Sequence, residues 1–254
     1  MSRQPPGEPP PPVVQRLRIR YAKRGRLRFT SHRDFARAFE RALRRADVPI
    51  AYSAGFSPHP KVSYVGASPT GVASEAEYLE IGLARRVEPE LLRAALDASL
   101  PAGLDLVEVV EAAGSSLAER IDASCWEVVL PGVPDRALAA AVAAFLACDA
   151  VPVERLTKAG QRTIDARAAV VGADTRRVTG SAGQDCATLR MVVRHVTPAV
   201  RPDDVLAGLQ SVADLELPEP PRAVRLAQGS LDATGRITDP LLADRMPSAD
   251  ARAV

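Results

Sequence analysis

The stretch that most restricts the fold is "VVQRLRIRYA" (13–22), together with the helical pattern that follows it. Leu17, Ile19 and Tyr21 fall on one side of an extended segment and Arg16, Arg18 and Arg20 on the other, the period-two pattern of a half-buried strand. Shortly after, Phe35, Ala38, Phe39, Ala42, Leu43 and Ala46 recur at helical spacing, with Arg33, Arg37, Arg41 and Arg44 on the opposite side. A strand with one apolar face and a helix with one apolar stripe bury those surfaces against each other, so a layered α+β domain is expected.

Further patterns continue the plan. "IAYS" and "KVSYVGA" read as short strands around the loop "GFSPH", "EAEYLEIGL" (75–83) alternates, and "LDLVEVVE" (104–111) is a strand. "EPELLRAALDASLPAG" (88–103) predicts a helix that buries Leu91, Leu92, Ala95 and Leu96 and stops at Pro101. The second half repeats the order. "SCWEVVLP" is a strand and "PDRALAAAVAAFLACD" a helix with Leu138, Ala141, Val142, Phe145 and Leu146 inward. "VPVERLT" and "QRTIDARAAVVG" form a hairpin, "ADTRRVTGSAGQD" a loop, and "ATLRMVVRH", "RPDDVLAGL" and "RAVRLAQGSL" a strand, a helix and a strand. The expected fold is therefore two ferredoxin-like (βαββαβ) halves with antiparallel sheets and helices packed on one face. The expected divisions are a disordered Pro-rich stretch at 1–14, domains at 15–117 and 118–232, and a flexible tail at 233–254.

Charge is unevenly spread along the chain. Residues 1–61 hold 14 Lys/Arg and 4 Asp/Glu, a net of +10, while the rest, with 19 and 27, carries −8. Such asymmetry points to a polyanionic partner for the basic end. The three cysteines, Cys125, Cys148 and Cys186, show no CxxC or CxxxCxxC spacing, so no zinc or iron–sulfur site is expected from this chain. No apolar run reaches the ~18 residues of a membrane span, and "MSRQPPGEPPPP" has no signal-peptide core. A cytoplasmic protein is expected.

Four stretches could carry chemistry. Ser31 and Asp34 fit a capping box, which leaves His32 at the first helical position as a candidate base or ligand. In "SAGFSPHPK" (53–61) two prolines stiffen a loop carrying Gly55, Phe56, His59 and Lys61, which can stack on a ring, hydrogen-bond and neutralise a phosphate. Glu75 and Glu77 share a strand face, and acids so placed either bind a metal or a cationic group or are simply solvated. Asp165 and Arg167 in "RTIDARA" share a strand side as an ion pair or a ligand-sharing couple. Candidate catalytic residues are thus His32, His59 and Asp165. Candidate binding residues are Arg28, Ser31, His32, Arg37, Arg41, Gly55, Phe56, His59, Lys61, Glu77, Asp165 and Arg167.

"LRFTSHRDFARAFERALRRADVPIAYSAGFSPHPKVSY" followed by "GVASEAEYLEI", and later "TKAGQRTIDARAAV", resembles the radical SAM-associated DUF2344 family of uncharacterised bacterial proteins. The resemblance runs over roughly residues 16–230. It implies a separate radical SAM protein as partner, one that would use S-adenosylmethionine, an iron–sulfur cluster and cobalamin, and it hints at RNA (tRNA or rRNA). "GQRTIDAR" is also similar to the active-site stretch of some tRNA pseudouridine synthases, with Thr163 where the family's nucleophilic aspartate stands and Asp165 two residues on. Tandem ferredoxin-like domains with a histidine near the first helix are similar to CRISPR RNA-processing endonucleases.

The expected function is a non-catalytic accessory module that binds RNA and presents it to the radical SAM enzyme. The alternatives are an RNA-directed enzyme, either pseudouridine-synthase-like or a metal-free nuclease, and a protein–protein adaptor. The basic surface is expected to start on the first strand and continue along the first helix, with the "GFSPHPK" loop nearby.

Overall fold

The structure, a computed structural model, describes residues 10–157, 160–177 and 186–245. The chain is mixed α+β with antiparallel sheets, and it divides into two compact units. One comprises the described residues up to Arg120 together with those from Pro240; the other is Ile121–Asp239.

In the first unit the elements follow as β1 (Gln15–Lys23), a 3-10 turn (Gly25–Phe29), α1 (His32–Arg45), β2 (Val62–Val65), β3 (Ala73–Leu83), α2 (Pro89–Asp97) and β4 (Leu104–Glu111). Their sheet order is β4-β1-β3-β2, with every neighbouring pair antiparallel. Ile19 sits opposite Leu79 on one side and Val109 on the other, which places the apolar alternation of three strands in register. That face packs against Phe35, Phe39, Ala42 and Leu43 of α1 and Leu92 and Leu96 of α2. Tyr21 and Phe35 stack with ring centroids 4.2 Å apart.

Two local expectations change. "IAYS" contributes only isolated bridges, Ile50 to Leu83 and Tyr52 to Pro60. Helix α2 ends at Asp97, and Leu91 is 72% exposed, because a nine-residue helix docks through the single i,i+4 pair Leu92 and Leu96.

The second unit runs β5 (Ala123–Pro131), α3 (Asp135–Ala147), β6 (Pro152–Thr157), β7 (Gly160–Asp165), β8 (Val170–Arg177), β9 (Cys186–Arg194), α4 (Pro202–Ala213), β10 (Arg222–Leu231) and β11 (Ile237–Thr238). Its sheet order is β10-β5-β9-β8, with β11 paired to β10. The β6–β7 hairpin forms a separate two-stranded sheet instead of joining the main one. The strand beside β9 is β8, which takes in Ala173–Arg177, the start of the stretch read as a loop. Residues 178–185, the rest of that loop, lie outside the described residues. Leu138, Ala141, Val142 and Phe145 of α3 are buried as their spacing requires. Cys125 is buried and Cys148 donates to the Ala144 carbonyl at 3.3 Å.

Part of the stretch read as a tail is built into the fold. Ile237–Thr238 extend β10, and Leu242–Arg245 form α5, which belongs to the first unit. Residues 1–9 and 246–254 lie outside the described residues. No described helix is long and apolar enough to cross a membrane.

Candidate nucleic-acid interface

Helix α1 begins with Ser31 as its cap. The Ser31 hydroxyl oxygen accepts the Asp34 amide at 3.2 Å and donates to the Asp34 carboxylate at 2.7 Å. The expected return bond from Asp34 to the Ser31 amide is thus replaced by one to the hydroxyl, and serine and aspartate are both consumed in the cap. His32 follows, exposed on its helix but edge-on to Tyr64 of β2, with ring centroids 4.8 Å apart and planes at 89°. Burial, and secondarily the Glu40 carboxylate, push the Tyr64 phenol well above its ordinary range.

On the outer side of α1, Arg33, Arg37, Arg41 and Arg44 are exposed, and none has an ion-pair partner among the described residues. The strand arginines differ. Arg16 pairs with Glu80 at 3.1 Å, and buried Arg18 pairs with Glu80 at 3.0 Å and Asp244 at 2.9 Å. Arg20 donates to the Glu75 carbonyl, and Arg24 is held by Glu75 and Asp105. Buried Lys23 donates to the Pro69 carbonyl at 3.2 Å. Because Leu17, Ile19 and Tyr21 face the helices, Arg16, Arg18 and Arg20 point to the other side of the sheet. The expected continuous basic surface from β1 to α1 is therefore two surfaces, and acids already neutralise most of the one on β1.

Register also relocates the stiff loop. Chain 53–61 enters β2 at Val62, which lies opposite Ile81, and Gly82 pairs with Arg16. The loop therefore sits at the Gln15 end of β1, whereas the "SHRD" turn follows the Lys23 end. His32 and His59 are not brought together. The loop is closed by the His59 amide donating to Ser53 Oγ at 3.0 Å and the Ser53 amide donating to the His59 carbonyl at 2.8 Å. Gly55 has φ +130°, which an L side chain rarely adopts, and Phe56 is 67% exposed. Lys61 is exposed. In the 3-10 turn, the Arg28 guanidinium lies 4.5 Å from the centroid of the exposed Phe29 ring.

The remaining candidates serve the backbone. Glu77 is buried rather than solvated, and its carboxylate accepts the Ser68 amide at 3.0 Å. In the second unit, Asp165 Oδ1 accepts the amides of Val151, Arg167 and Ala168, so the carboxylate organises the turn that leaves β7. Arg167 donates to the carbonyls of Val170 and Leu146. The expected Asp165–Arg167 couple is thus two residues that each satisfy main-chain groups. Among the described residues no three His, Cys, Asp or Glu side chains gather to hold a metal.

The family model for an uncharacterized protein conserved in bacteria, DUF2344, matches residues 16–202. The chain belongs to this family. Comparison with curated proteins gives no match. Two solved structures are similar to the DUF2344 chain. An unknown protein from Galdieria sulphuraria is 16% identical, over 83% of this chain and 98% of that one, with a TM-score of 0.23. An encapsulated DyP-type peroxidase from Mycobacterium smegmatis is 8% identical, over 87% and 94%, with a TM-score of 0.22.

Two features of the DUF2344 chain have no local signature in its sequence. Asp244 of α5 accepts from Arg18, Arg120 and the Ala113 amide. In the second unit, Ser124 Oγ lies 2.7 Å from His195 Nε2. Burial, and after it the nearby Arg225, lower the His195 pKa against the opposing pull of Asp122. Only the acid beside basic Arg18 could have been sought from composition, and nothing in the sequence indicates which acid it is.

Proposed function

We propose that this DUF2344 protein is an RNA-binding accessory that holds a tRNA or rRNA segment on the outer face of α1 and works in the cytoplasm with a separate radical SAM enzyme. The observation that carries the reading is the row Arg33, Arg37, Arg41 and Arg44, exposed and without ion-pair partners among the described residues. Successive arginines on one helix face lie about 5–6 Å apart, a spacing that lets each meet a different phosphate of one backbone. Arg28 and the exposed Phe29, just before the helix, extend the surface with a stacking platform.

The partner rests on the family resemblance. It would supply the iron–sulfur cluster, S-adenosylmethionine and cobalamin, while this chain positions substrate. The sheet orders β4-β1-β3-β2 and β10-β5-β9-β8 support taking each unit as ferredoxin-like, the second with the hairpin β6–β7 inserted. The use of Asp165 by three backbone amides counts against a uridine isomerase built on that residue.

The test is RNA affinity measured against salt. Affinity for total tRNA should fall steeply as salt rises, with a log–log slope that becomes shallower by about two in Arg37→Glu/Arg41→Glu. A flat salt dependence sinks the reading. Co-purification of a radical SAM protein that survives nuclease treatment, without RNA affinity, would favour the adaptor instead.

A further inference from the structure

The face of the first-unit sheet opposite α1 carries two adjoining hollows. The larger, about 430 Å³, has Arg18 and Glu80 as floor, Ser63 and Val65 of β2 as one wall, and the segment Ala112–Ala118 as the other. The smaller, about 210 Å³, is lined by Ser53, His59, Lys61 and, shared with the first, Arg16, Ser63 and Glu80. Register explains why these side chains converge. Ser63 lies opposite Glu80 and Arg16 opposite Gly82, so alternate residues of β1, β2 and β3 project to this side while Val62 and Tyr64 join the core.

The charge in the smaller hollow is unbalanced. Among the described residues Glu80 is its only acid, and both its oxygens are engaged, one by Arg16 at 3.1 Å and one by Arg18 at 3.0 Å. Arg18 is otherwise saturated by Asp244 and the carbonyls of Ala113 and Ser115. Among the described residues Arg16 makes one side-chain ion pair, through Nη1, and its side chain is 62% exposed. Lys61 and His59 line the same space, with no ion-pair partner among the described residues. An Arg, a Lys, a His and serine hydroxyls around one small space suit a phosphate. The larger hollow has the apolar surface of Val65, Ala112, Leu117 and Ala118 with serine and glycine at its rim, the composition that receives a flat ring.

We infer that this face binds a nucleoside monophosphate, its phosphate against Arg16, Lys61 and His59 and its base between Val65 and Leu117. The site is separate from the α1 arginines and stands or falls independently of RNA binding there. The nucleotide has two sources, a free mononucleotide or the 5′-phosphorylated end of an RNA, and the same residues would hold either.

The test is calorimetric titration of the full chain with AMP, GMP, CMP and UMP, with the four nucleosides, and with short oligoribonucleotides carrying or lacking a 5′-phosphate. At least one monophosphate or phosphorylated oligonucleotide should bind, and its dephosphorylated counterpart should bind about tenfold more weakly or worse. Arg16→Gln/Lys61→Ala, and separately His59→Ala, should weaken binding by a similar factor with an unchanged melting temperature. Arg37→Glu/Arg41→Glu should leave the monophosphate unaffected. Binding of free monophosphate assigns the free nucleotide, and binding of the phosphorylated oligonucleotide alone, with the same Arg16 and Lys61 dependence, assigns an RNA end. Absence of both, or equal affinity in the pocket variants, overturns the site. Loss of tRNA affinity in the α1 variant alone bears only on the proposed function.

Discussion

The ring of His32, the first residue of α1, stands edge-on to the ring of Tyr64 on β2, 4.8 Å away and at 89°. Tyr64 also meets Phe35 at 6.0 Å, so one tyrosine ties the helix start and the aromatic core to the strand that follows the stiff loop. The alignment makes Tyr64 a reporter of the first unit.

Because burial raises the Tyr64 pKa in the folded protein, the phenol stays neutral there while the unfolded chain ionises at about pH 10. Its stabilising contribution is complete below that pH and is lost as pH rises toward the folded value. The melting temperature should therefore drop between about pH 9 and 11. Tyr64→Phe should flatten the drop, and an identical profile in the variant would refute the assignment.

His195 gives the opposite dependence. Desolvation, then Arg225, hold its pKa below the ordinary histidine range, so the folded imidazole is neutral and can accept the Ser124 hydroxyl. The unfolded chain takes up the proton first as pH falls below about 6.5, so this stabilisation is present above that pH and is lost toward the folded pKa. Thermal melts of the wild type from about pH 8 to 5 should fall more steeply than those of His195→Asn. Parallel curves would mean that the pair does not titrate as placed.

Gly229 of β10 leaves no room for a side chain, since a Cβ there would lie 1.9 Å from the Thr238 carbonyl oxygen. Gly229→Ala should detach β11 or shift it, costing about 1–3 kcal/mol in urea denaturation. Thr238→Gly leaves the carbonyl in place and should not rescue it, which separates a backbone clash from a lost side-chain contact.

Asp244 has a fully buried carboxylate between Arg18 and Arg120. Removing it by Asp244→Ala takes a buried acid away from two guanidinium groups, and the expected loss is about 3–5 kcal/mol in denaturant unfolding. A loss below about 1 kcal/mol would place the pair at the surface.

The parts of the fold that were legible in the sequence are those governed by local period. The stripe of Phe35, Phe39, Ala42 and Leu43 and the alternation of Leu17, Ile19 and Tyr21 each predict their own burial, because helix and strand geometry leave one face for the core. Where partners are distant, period is silent. Glu77 alternates like a surface acid, and the Ser68 amide that its buried carboxylate accepts is a loop group with no pattern of its own. The arginines of β1 read as free cations because Glu80 and Asp244 reach them only through pairing with β3 and the docking of α5. Chain distance alone predicts the loop at 53–61 close to "SHRD", and only the register of β2 on β3 puts it at the other end of the strand.

The contact between Arg18 and Asp244 also sets an order of events at the ribosome. The second unit, Ile121–Asp239, is one uninterrupted piece of chain, whereas the first needs a residue that is translated after all of it. A nascent chain thus holds every residue of its second unit before it can complete the ion pairs of the arginine at the centre of its first strand, which until then has only Glu80 to meet it.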